Sequence, residues 1–97
     1  MGFEYFADAT LTPAIIASVT SAIAADARFV VLHASGGQMS LRIAALPLQP
    51  GWPEDVALEL TRDRVLVLFH GGPHGEILDA LQAILARAGC SVAFDDL

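Results

Sequence analysis

The chain contains no lysine, a single cysteine and few charges of either sign. Five arginines stand against eleven acidic residues, a formal net charge of −6. Without a basic stripe, nucleic-acid binding is not expected, because cations on phosphates supply most of that affinity. Cys90 alone can form no intrachain disulfide and no cysteine zinc cluster. No apolar run approaches the roughly 20 residues that cross a bilayer. The stretch MGFEYFADAT carries two acids, no early basic residue and no apolar core, so it does not read as a signal peptide. Phe6 stands where a myristoylation signal has Ser or Thr. These absences read as a soluble, cytoplasmic, bacterial-type protein with no membrane partner.

What is present is apolar. Hydrophobic residues make up 55% of the chain and charged ones 16%, against about 25% charged in ordinary domains. Residues 1–97 are expected to form one domain with a thin core, burying about two-thirds of the chain's surface on folding. So little charge cannot cover that surface. Some apolar or alanine-rich surface must stay exposed, which favours self-association or a protein partner.

Periodicity lays out the elements. FEYFADA (3–9) alternates as a strand. Thr12 is a good helix N-cap, Pro13 suits the first helical position, and Leu11 and Ile16 sit at staple positions. Ile15, Ile16, Val19, Ala22 and Ile23 then form one stripe, opposite a face of alanine and serine. RFVVLHA (28–34) is an almost unbroken apolar run, predicted to be a strand covered on both sides or central in its sheet. SGGQ turns the chain into a return strand, MSLRIAAL (39–46). PLQPGWPED (47–55), with three prolines, is an irregular loop. VALEL (56–60) and RVLVLFH (64–70) are strands joined by a tight turn at TRDR, the second of them central. After GGPHG a second helix places Ile77, Leu78, Leu81, Ile84, Leu85 and Ala88 inward and ends at Gly89, a C′ glycine. CSVAFDDL reads as a last strand with Val92 and Phe94 inward.

The order β-α-β-β-β-β-α-β predicts an α+β, two-layer sandwich: a mainly antiparallel sheet with two helices. A split βαβ, ferredoxin-like plan with an added hairpin fits it. The runner-up is a profilin- or roadblock-like plan with helices on opposite sides of the sheet.

Candidate chemistry gathers in FHGGPHG (69–75). A strand, two glycines and a helix start suit an anion, but there is no Walker-type lysine and no dinucleotide fingerprint. His33 and His70 both end apolar strands before a Gly-Gly pair. With His74 they are the only histidines, and three imidazoles would bind zinc if they converged. The plainer reading makes Gly71 and Gly72 a turn, His70 a half-buried strand end and His74 a solvated first-turn residue. No metal site and no cofactor is expected. Cys90 reads as a small core residue, and the pairs Glu54/Asp55 and Asp95/Asp96 as solvated acids. No motif supports catalysis.

Binding fits better. Trp52 lies in the proline-rich loop beside Glu54 and Asp55, where it reads either as a rigid aromatic anchor with acidic neighbours or as a cap folded back over the open end of the core. The expectation is a small acidic, non-catalytic protein-binding domain, an adaptor or an inhibitor/immunity-type protein, with a basic protein as its partner. The alternatives are a small-ligand or metal-sensing module using His33, His70, Gly71, Gly72 and His74, and a homodimeric structural subunit joined through the first helix or an edge strand.

Overall fold

The computed structural model describes residues 3–47 and 54–96. Along the chain run β1 (Glu4–Asp8), α1 (Pro13–Ala25), β2 (Phe29–Ser35), β3 (Gln38–Ile43), β4 (Val56–Leu60), β5 (Arg64–Phe69), α2 (His74–Arg87) and β6 (Asp95–Asp96). The six strands form one open antiparallel sheet in the order β2-β3-β4-β5-β1-β6. The predicted α+β class and element order are those observed.

Alternation fixes which face of the sheet is buried. Met39 pairs with Leu58, Leu58 with Val67, and Val67 with Tyr5, so one row of side chains crosses four strands on the same face. Leu41, Val56 and Phe69 make the next row. These residues join Val19 and Ile23 of α1 and Ile77, Leu81, Ile84 and Leu85 of α2 in a single core. Full burial of each large aliphatic side chain contributes about 1.5–3 kcal/mol. Both helices therefore lie on one side of the sheet, unlike the opposite-side plan.

Local chemistry ends each element. In the β2–β3 turn, Gly36 and Gly37 have φ of +58° and +88°, as a two-residue type I′ hairpin requires. A Cβ on Gly37 would run into the Leu60 carbonyl oxygen. The Thr61 N–H donates to the Arg64 carbonyl at 3.0 Å across the β4–β5 turn. Thr12 caps α1, its Oγ1 accepting from the Ile15 N–H at 3.2 Å. At the other end of α1, the Arg28 guanidinium donates to the Asp26 carboxylate and holds its pKa down to about 2. α2 ends in a Schellman motif: the Gly89 N–H reaches the Ala86 carbonyl, the Cys90 N–H reaches that of Leu85, and Gly89 has φ +95°.

Four expectations change. β2 is an edge strand rather than a covered one. The interior positions go to β3, β4, β5 and β1, and β2 carries a bulge between Val31 and His33. An apolar run records what a strand can pack against, not which neighbours the topology supplies. At the C-terminal side, among the described residues, only Asp95 and Asp96 pair as strand, although Val92 and Phe94 do pack against the core. Ala22 faces outward, leaving Val19 and Ile23 as the fully buried residues of α1. Asp55 is buried rather than solvated.

Asp55 fastens three strands. Its Oδ2 accepts the Ile43 N–H at 2.8 Å, just where β3 ends. Its own N–H donates to Leu41, and its carbonyl accepts from His70 at the end of β5. Replacing the side chain would strand a buried N–H, which costs about 1–3 kcal/mol. Asp55→Ala should lower the urea unfolding free energy by about 2 kcal/mol. Asp55→Asn, which keeps an acceptor oxygen, should lose less. Equal losses in the two variants would show that the Ile43 bond is not what matters there.

Candidate functional site

Phe69 ends β5 with its ring in the core, so the chain leaves the sheet at His70. His70 Nε2 lies 3.0 Å from Glu54 Oε2, with only 18% and 22% of the two side chains accessible. Gly72 then takes φ +92°. A Cβ there would meet Ile43 Cδ1 at 2.5 Å and push that side-chain end aside, and the backbone angle itself favours glycine. Pro73 caps α2 without a side-chain bond, and His74 opens the helix.

His74 is half-buried and engaged rather than freely solvated as the plainer sequence reading has it. Its Nδ1 is 3.0 Å from the Tyr5 hydroxyl. Its ring stacks on Phe69 with centroids 4.2 Å apart and planes 22° apart. Phe3 meets it edge-on at 5.7 Å. β1 brings Phe3 and Tyr5 to this place because Tyr5 pairs with Val67, one row below Phe69. A hollow of about 330 Å³ opens here, lined by Phe3, Leu68, Phe69, His70, Gly71 and His74. Two imidazoles, each held by a partner, could move protons, but no serine, threonine or cysteine is among these lining residues.

His33 does not join them. It pairs with Ser40, Ser40 with Ala57 and Ala57 with Leu68, which puts three strand spacings, about 14 Å, between His33 and β5. Among the described residues no group of three His, Cys, Asp or Glu could hold a metal ion. Cys90 is buried. Trp52 lies outside the described residues. Of its two acidic neighbours, Glu54 is engaged with His70 and Asp55 with Ile43.

A second concavity, of about 350 Å³, lies on the other face of the sheet. Ala57, Leu66 and Leu68 are half-buried on its floor, and Glu4, Glu59 and His33 stand among its lining. No arginine lines it. Among the described residues neither Glu4 nor Glu59 makes an ion pair. Nearby, the Arg64 guanidinium sits 5.3 Å over the Phe6 ring. Sequence reasoning missed this surface, yet a signal was there. RVLVLF is apolar on both faces, while two short helices can cover only one.

Comparison with protein-family models, with curated proteins and with solved structures finds no match to this chain.

The Tyr5–His74 bond ties β1 to α2 across the sheet end. Tyr5→Phe keeps the ring contacts and should lose about 1 kcal/mol in urea unfolding. His74→Ala removes the stack as well and should lose more. A Tyr5→Phe protein as stable as the parent would mean that the hydroxyl contributes nothing.

Proposed function

We propose that this chain is a non-catalytic protein-binding domain, an adaptor or an inhibitor/immunity-type protein, whose partner lays a basic and apolar segment on the open sheet face. The observation that carries this reading is an apolar floor beside two carboxylates that make no ion pair among the described residues. Leu66, Leu68 and Ala57 offer area to bury, while Glu4 and Glu59 give a partner's arginine or lysine a counter-charge. This moves the expected contact away from Glu54 and Asp55, whose side chains are already engaged. A net charge of −6 would steer a basic partner toward the domain and raise its on-rate more than its affinity. The strand order is compatible with a ferredoxin-like sheet in which a four-strand meander stands in place of the central hairpin.

The test is capture with the intact chain as bait. A basic protein should be retained by the parent and lost with Leu66→Glu or Glu59→Arg, both of which should still melt cooperatively. Its association rate should fall steeply with added salt. Capture unchanged in both variants would refute the assignment to this face.

A ligand-sensing reading is favoured by one observation, the hollow between His70 and His74. Zinc or a phosphorylated metabolite seated there would raise the melting temperature, a 100-fold excess over Kd adding about 2.7 kcal/mol. No shift across a panel of both would exclude it.

A further inference from the structure

The two edges of this sheet are built differently. Among the described residues, β6 closes one edge with two paired residues, and both are aspartates. Short length and charge are the usual means by which a protein keeps an edge from pairing with another chain. β2 forms the other edge with seven residues, FVVLHAS, which contain no proline, lysine, arginine or acid. Val30 and Leu32 are 39% and 44% exposed on it. The outward N–H and C=O groups of β2 have no strand beside them among the described residues.

We infer that a second copy of this chain pairs with the β2 edge, strand against strand about a two-fold axis. Three observations select a second copy. An antiparallel strand edge is complementary to itself, so Val30 and Leu32 of both copies would meet across the axis. Two chains of charge −6 repel one another unless they meet through an uncharged surface. β2 is such a surface, and so is the exposed side of the neighbouring α1, where Ala17 and Ser21 share a groove with Ala34 and Ser35. Finally, growth from β2 onto β6 of another copy would place the uncharged strand against two aspartates, so the assembly closes as a dimer rather than extending into a filament. The bulge at Leu32 shortens the ladder that can form, but it brings no charge to the edge. This pairing leaves the open sheet face free and is independent of the partner proposed for it.

The test is the solution mass of the full chain at about 100 µM, a hundred-fold above a micromolar Kd. The parent should sediment at twice 10.2 kDa. Val30→Lys/Leu32→Lys should sediment as a monomer, and Leu66→Glu, on the open face, should remain a dimer. A monomeric parent overturns the proposal, as does a dimer that survives the double lysine substitution. Hydrogen exchange on the unaltered chain needs no variant to fold. The outward amides of β2 should exchange more slowly as concentration rises, while those of Asp95 and Asp96 should not. Exchange at β2 that is independent of concentration equally overturns it.

Discussion

A crossover between parallel strands of one sheet is right-handed in nearly every protein, and this chain makes two. β1 and β2 are parallel because four antiparallel steps separate them, and α1 joins them. β5 and β6 are parallel across β1, and α2 joins those. β1 and β5 run in opposite directions, and their crossovers travel toward opposite edges of the sheet. The same hand therefore puts both helices on the same face. The single core shared by α1, α2 and one side of the sheet is that arrangement. The open second face follows from it.

The remaining features fit around this constraint. Side chains at one parity of each strand, such as Val65, Val67 and Phe69, are buried under the helices. Those at the other parity, Leu66 and Leu68, are only half-buried. A chain with 16% charged residues has few with which to cover a whole sheet face. It places Glu4 and Glu59 beside an apolar floor instead. The sheet end is finished differently. Asp55 ties β3, β4 and β5 by polar bonds, and His74 is held between aromatic rings and a tyrosine hydroxyl.

Much of the architecture was legible because its signals are local. Thr12, Pro13 and Gly89 mark helix ends by backbone chemistry that needs no tertiary context, and Gly36–Gly37 marks a hairpin in the same way. The alternation of VALEL and RVLVLF gave the buried parity directly. What was not legible depends on neighbours far along the chain. β2 looks like an interior strand because hydrophobicity does not encode strand order. Asp55 looks solvated because its acceptor role depends on Ile43, twelve residues away. His74 looks like a wet first-turn residue because Tyr5, 69 positions earlier, is brought to it only by the pairing of β1 with β5. The Gly-Gly echo after His33 and His70 reflects turn chemistry, and the register keeps the two rings apart.

The asymmetry between the sheet's two faces can be measured directly by adding a soluble paramagnetic agent to the methyl-labelled protein. The methyl signals of Leu66 and Leu68 should be attenuated strongly, and those of Val65 and Val67, adjacent in sequence, should be nearly untouched. Equal attenuation of the two sets, or protection of Leu66 and Leu68 alone, would contradict a sheet with one face buried under both helices and the other open.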